Sequence, residues 1–150
     1  MGRVVSQHGE DGPAVVVGID GSANSDAALR WAAEYARLIK GELHAVIAWD
    51  HLLGFGFAPI SREQLEREAR HVLRNALERV LGDASPSGVV REVIQGNPIS
   101  VLVEASKDAA LLVVGARGYG GFAGLLLGSV GENCARQAHC PVLIVRGGAV

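Results

Sequence analysis

The chain predicts an α/β fold: a Rossmann-like doubly wound sandwich, with five strands in a parallel sheet and four helices over its faces. Three observations carry this reading. Short continuous apolar runs alternate with stretches of helical spacing, five times along the chain. The links between them are mostly short, as parallel strands joined by crossover helices require. A glycine-rich segment follows the fourth apolar run, and sheets of this kind bind ligands at the carboxyl ends of their strands.

The first run, residues 14–19 (AVVVGI), has no polar side chain, which suits a strand buried on both faces. Residues 22–39 then show helical spacing through Ala28, Trp31, Ala32, Tyr35 and Leu38. Residues 43–48 (LHAVIA) predict the second strand, and residues 50–60, with Gly54, Gly56 and Pro59, a long loop. Ser61 and Gln64 form a capping box at the start of the second helix. Its apolar stripe runs from Leu65 to Leu81, and Gly82 is its expected stop. Residues 89–94 (VVREVI) predict a third strand, whose charged pair Arg91–Glu92 suits a sheet edge. Asn97 followed by Pro98 is a cap with proline at the first helical position, opening a helix expected to reach about Lys107. Residues 110–115 (ALLVVG) form the fourth strand, residues 129–138 the last helix, and Val142–Val145 the fifth strand.

Composition narrows the function. The chain has 150 residues, enough for one domain with a substantial core. Residues 1–13 read as a polar lead-in, 14–146 as the domain and 147–150 as a tail. The net charge is −2 and no lysine–arginine block stands out, so no nucleic-acid partner is expected. No apolar run reaches the roughly 18 residues of a membrane span, and the polar start lacks the apolar stretch of an export signal. The protein is therefore expected in the cytoplasm, with Cys134 and Cys140 as reduced thiols. His139 beside Cys140 lacks further ligands at metal-binding spacing, so a packed thiol is the better account.

Residues 115–131 read GARGYGGFAGLLLGSVG, seven glycines in seventeen positions between a strand and a helix. Glycine exposes its N–H and reaches φ above zero, so such a loop can wrap an anion. The helix that follows aims its free N–H groups and positive dipole end at the same place. The plainer reading is that the glycines form only a tight connection, though Gly115 and Gly118 at the strand end and Gly128 at the helix start fit it less well. No G-x-x-x-x-G-K-[ST] occurs, which excludes a Walker A loop. Gly118 to Ala123 matches G-x-G-x-x-A, but after the fourth strand and with no acidic residue about 20 positions on, which argues against a dinucleotide site.

A different spacing fits: Gly115-x2-Gly118-x9-Gly128-Ser129. This resembles the ATP-binding signature of the universal stress protein family. Val17 to Ser22 (VGIDGS) resembles that family's opening strand and turn, and His139 to Val145 (HCPVLIV) its closing strand, so the resemblance spans residues 14–146. It implies ATP as ligand and strand order 3-2-1-4-5. It also implies site roles for matched positions. Gly115, Gly118, Gly128 and Ser129 would hold phosphates and ribose. Arg117, Gly120, Gly121 and Val130 would line the same pocket. Gly18 and Asp20 would lie beneath the nucleotide, and Ala48 would border adenine.

Plainer roles stand beside these. Ser129 to Glu132 is itself a capping box, so Ser129 can be a helix cap. Asp20 can stabilise the turn before the first helix, or hold Mg²⁺ beside a phosphate. Arg117 can be a solvated charge and Gly18 a close-packing residue. No lysine anchor, arginine finger or water-orienting glutamine can be assigned, and the five histidines assemble no catalytic set. The expected function is ATP binding with slow hydrolysis or none, in a stress-response regulator. The alternatives are a nucleotide-independent scaffold or a weak ATPase. The fifth strand, Val142–Val145, is purely apolar and falls at a sheet edge in the implied order, which predicts a symmetric homodimer through it.

Overall fold

A computed structural model of the chain describes residues 12–50, 60–82, 88–118 and 127–147. The lead-in up to residue 11, the loop 51–59, Gly120 and Gly121, and the tail from residue 148 lie outside the described residues. Along the chain come β1 (Ala14–Gly18), α1 (Ala23–Leu38), β2 (Glu42–Trp49), α2 (Arg62–Val80) and β3 (Val90–Gln95). Then follow α3 (Pro98–Ala105), a 3₁₀ turn (Ser106–Asp108), β4 (Leu111–Gly115), α4 (Ser129–Gln137) and β5 (Val142–Val145). The strands form one parallel sheet in the order β3-β2-β1-β4-β5, as expected.

The strand periodicity of two divides the core into two layers. Val15 and Val17 of β1 pack with Ala45, Ile47 and Val113 against α1 and α2. Val16 packs with Val46, Leu112 and Val114 under α3, with Cys134 of α4. This is why β1 contains only apolar residues: Ala14, Val15, Val16 and Val17 are all buried, on alternating faces. β3 sits at one edge, where the Arg91–Glu92 pair is tolerated, and β5 at the other.

Three of the four described α-helices start on a side-chain cap, of which Ser61 and Asn97 were expected. Ser22 Oγ accepts from Ser25 N at 3.2 Å and Ser61 Oγ from Gln64 N at 3.1 Å. Asn97 Oδ1 accepts from Ile99 N at 2.8 Å, with Pro98 at the first helical position. Gly82 ends α2 with φ +49°, the left-handed conformation of a glycine stop.

Three expectations need correction. The buried stripe of α1 is made of Ser25, Ala28, Leu29, Ala32, Ala33 and Ala36, whereas Trp31 and Leu38 are exposed at 42% and 79%. Small side chains let the helix approach the sheet closely, and Trp31 instead stacks on Tyr35 with ring centroids 5.4 Å apart. The α3 helix stops at Ala105 and tightens into the 3₁₀ turn. There the fully buried Ser106 donates its hydroxyl to Val103 O at 2.6 Å and accepts from His139 N at 2.9 Å, pinning the helix end to the approach of β5. Finally, Ser129 is not the cap of α4. Gly128 takes that position, and Glu132 N donates to Gly128 O at 3.0 Å. The box is therefore one residue out of register, and the Glu132 carboxylate turns down the helix to Arg136 at 3.1 Å instead.

Candidate functional site

The winding direction reverses between β1 and β4. The chain adds β2 and β3 on one side of β1, then returns to place β4 and β5 on the other. The loops leaving β1 and β4 must diverge to opposite faces, and this opens a crevice at their carboxyl ends. A cavity of about 600 Å³ fills that crevice, a size that suits a small organic ligand.

All the sequence-predicted site residues that are described line this one cavity. Gly18 and Asp20 come from the end of β1, and Ala48 from the end of β2. Gly115, Arg117 and Gly118 enter from β4 and the start of its loop; Gly128, Ser129 and Val130 close the far side at the start of α4. Gly120 and Gly121 lie outside the described residues. Positions 115 and 128 are joined by a short backbone circuit. Gly128 N donates to Ala116 O at 2.6 Å, and Ala116 N donates to Val145 O at 2.8 Å. The loop is thereby cinched back to its own strand, which fixes the N-terminus of α4 at the cavity. The first-turn amides of α4 have no acceptor inside the helix, and Gly128 offers no side chain to cap them. The Ser129 hydroxyl is not spent on capping either.

The motif glycines serve close approach. None of Gly18, Gly115, Gly118 and Gly128 is among the described residues with positive φ, so conformational freedom, one of the two reasons that predicted them, does not account for them. A Cβ on Gly115 would stand 2.7–2.9 Å from the carbonyl carbon, Cβ and carbonyl oxygen of Asn24, in the first turn of α1. A Cβ on Gly118 would overlap Asp20 Oδ2. Gly18 packs likewise against Leu102 of α3, which supports its close-packing role, while it also borders the cavity. Gly128 is the roomiest, with nothing nearer than 3.4 Å to an added Cβ.

Asp20 combines its two sequence readings. Its Oδ1 accepts from Ser22 N at 2.8 Å and so builds the turn into α1, while Oδ2 lies against Gly118 across the cavity mouth. Ser25, at the first turn of α1, accepts from Asp20 N at 3.2 Å and fixes that backbone.

Sequence reasoning missed the apolar wall. Val46 and Val114 supply its floor, with Val72 from α2 and Pro98 and Leu102 from α3 at its sides. Nothing local marks these residues: Val72 and Leu102 read as ordinary members of helix stripes, and only packing brings them to the crevice. Among the described lining residues the ionisable groups are Asp20 and Arg117. The described lining therefore combines glycine-bearing backbone, apolar side chains, one carboxylate and one guanidinium. No group of three or more histidine, cysteine, aspartate or glutamate side chains is placed to hold a metal among the described residues. No helix among them is long and apolar enough to cross a membrane.

Comparison with known proteins agrees with the fold. Residues 13–146 match the model of the universal stress protein family. The chain is 38% identical over 141 residues to the universal stress protein Rv2623 of Mycobacterium tuberculosis, covering 87% of this chain and 46% of that one. It thus spans about half the length of the curated relatives it matches. A solved universal stress protein in complex with cAMP is 31% identical, with TM-score 0.70 and coverage of 91% of this chain and 98% of that chain. The universal stress protein UspA from Lactobacillus plantarum shares the fold at 22% identity, with TM-score 0.73 and coverage of 89% and 97%. The strand order, the crevice at its switch point and these matches together mean that the chain belongs to the universal stress protein family.

Proposed function

We propose that this domain binds an adenine nucleotide, ATP, in the crevice between β1 and β4, and that it holds the nucleotide as a regulatory ligand. The observation that carries the reading is that one cavity is lined by two unlike surfaces: the glycine-bearing segments at the end of β4 and the start of α4, and the apolar side chains of Val46, Val72, Leu102 and Val114. Phosphates suit the first and a purine the second. The related structure in complex with cAMP, at 31% identity, supports an adenine nucleotide as the ligand class.

In this reading Gly115 and Gly118 shape the loop around the phosphates. Gly128, Ser129 and Val130 present the helix end to them, with Gly120 and Gly121 between. Arg117 contributes positive charge, and Ala48 and Gly18 border the base and ribose. Mg²⁺ would arrive with the phosphates. Asp20 supplies one carboxylate, which is enough only when the nucleotide provides other ligands.

The described lining supports binding without efficient cleavage. Phosphoryl transfer needs groups that orient water and neutralise developing charge. Asp20 and Arg117 are the ionisable groups available among the described lining residues, and Asp20 Oδ1 is already engaged by the turn. We assign the protein a cytoplasmic, stress-responsive regulatory role, as a homodimer through the apolar edge strand Val142–Val145.

Denaturing the purified protein and analysing the supernatant by mass spectrometry tests the ligand. ATP should be released by the wild type and absent from Gly118→Ala. Calorimetry with ATP, AMP and cAMP should rank ATP first; cAMP ranking first would replace ATP as the ligand. No binding of any of the three would favour a nucleotide-independent scaffold. Sustained turnover of ATP would overturn the holding role. Sedimentation should give a dimer at micromolar concentration, and a monomer there would refute pairing through β5.

A further inference from the structure

β2 buries one imidazole between two carboxylates, at the end of the sheet away from the cavity. His44 is 1% exposed. Strand alternation puts it on the same face as Val46 and Ala48, the α3 side of the sheet. Its Nε2 lies 2.5 Å from Glu42 Oε1, two residues back on that face, and its Nδ1 lies 3.4 Å from Glu92 Oε1. Glu92 belongs to β3, where it stands in register with Val46. Both carboxylates are mostly covered, at 17% and 16% exposure.

A neutral imidazole has one N–H and one lone pair. Between two carboxylates it can satisfy one and must turn its lone pair on the other, in a site with little water to intervene. The imidazolium donates to both. No other described charge intrudes. α3 brings Leu102 and Ala105 to this layer, and its Glu104 pairs with Lys107 at 3.1 Å on the surface. Arg91, on β3 beside Glu92, falls on the opposite face by strand alternation. The neighbouring strand β1 contributes only Val16 here, in register with His44.

We propose that protonated His44 is a staple that ties the edge strand β3 to β2, and that the hold on β3 weakens as the proton leaves. Among the described strands β3 pairs with β2 alone, so cross-strand side-chain contacts add to the hold of that one ladder. The strand then leads through Gly96, whose N donates to Trp49 O at 2.7 Å, and Asn97 to Pro98 at the cavity wall. The staple thus secures the far end of the segment that delivers α3 to the crevice.

The sign follows from the contacts. Burial alone would lower the His44 pKa, but the hydrogen bonds and charges of Glu92 and Glu42 outweigh it and raise it above 6.5. A raised folded value means the stabilisation is complete below the unfolded value and is lost as pH rises through the folded one.

Amide hydrogen exchange on the full chain at pH 6 and pH 9, corrected for intrinsic base catalysis, tests the staple. Protection of the β3 amides should fall about tenfold for each unit by which the His44 pKa is raised. Amides of β4, an interior strand on the far side of β1, should change less. In Glu92→Gln, whose substituted side chain lies at the edge, the fall should shrink and the His44 titration followed by NMR should move down. A wild-type midpoint at or below 6.5 would overturn the proposal. So would β3 protection that is the same at both pH values, or a Glu92→Gln protein that keeps the full pH response.

Discussion

Gly115 and Gly118 belong to one motif, yet alanine at each should fail differently. At Gly115 the new Cβ would lie 2.7 Å from the carbonyl carbon, 2.8 Å from the Cβ and 2.9 Å from the carbonyl oxygen of Asn24. Two of those are backbone atoms of the first turn of α1. That turn is held by the Ser22 cap and by Asn24 Oδ1, which accepts from Gly147 N at 2.6 Å. It cannot give way locally, so the cost is that of overpacking a fixed core contact, about 1–3 kcal/mol. For a chain of this size each kcal/mol lowers the melting temperature by about 2–4 °C. At Gly118 the clash is with Asp20 Oδ2, the end of an exposed side chain that can rotate away. Rotation costs at most the hydrogen bond from Ser22 N to Asp20 Oδ1, about 1 kcal/mol. The methyl and the displaced carboxylate would then intrude on the cavity mouth. Gly118→Ala should therefore keep near-native stability and retain at least about tenfold less nucleotide, a differential of about 1.4 kcal/mol. Urea unfolding followed by circular dichroism, with calorimetry on the same samples, separates the two effects. A Gly115→Ala protein as stable as the wild type would refute the packing argument. A Gly118→Ala protein with unchanged nucleotide affinity would refute the placement of the loop around the ligand.

Other consequences are simpler to check. Cys134 is fully buried and its thiol is pushed up to about 11 by desolvation, while Cys140 is half-buried and raised by the same cause. Peptide mass spectrometry after thiol labelling of native protein at about pH 8 (about half a unit below an ordinary thiol pKa) should find Cys140 modified first and Cys134 only after unfolding. Equal labelling rates would contradict the burial. Asn97→Ala removes the cap of α3 and should cost about 1 kcal/mol in urea titration; no change would mean that Pro98 alone fixes the helix start. Arg79 donates from Nε and Nη2 to the two carboxylate oxygens of Asp26 at 2.9 Å each, tying α2 to α1. Because Arg79 is half exposed, Arg79→Ala should cost no more than about 1 kcal/mol. A loss well above that, measured by thermal melting, would show that the pair is better shielded than its exposure indicates.

Much of the fold was legible in the sequence because its signals are local. The all-apolar run at β1 can only be a strand covered on both faces. Ser61 and Asn97 announce helix starts through side-chain oxygens that reach amides two or three residues on, so a short window contains the whole interaction. The box at Ser129 misled for the same reason. A short window cannot register that Gly128 N is bonded to Ala116 O, which starts the helix one residue earlier. Trp31 and Leu38 fit the helical spacing but not the closeness of α1 to the sheet, a distance that depends on both partners. His44 passed as one residue of an apolar strand. Glu42, two positions back on the same face, was a visible hint; Glu92 was not, because its approach depends on the pairing of β2 with β3.

The candidate site divides along the same line. The resemblance of their spacing to a family signature picked out the glycines at 115, 118 and 128, and through them the end of β4 and the start of α4. Tertiary structure decided why those positions are glycine: neighbours from α1 and from the β1 turn press on Gly115 and Gly118. It also supplied the apolar wall from α2 and α3, and left Asp20 and Arg117 as the ionisable groups of the described lining. Backbone turns and caps are written over three or four residues, so one sequence determines them. A cavity is the space left between segments distant in sequence, and its shape and charge exist only once the sheet has put those segments side by side.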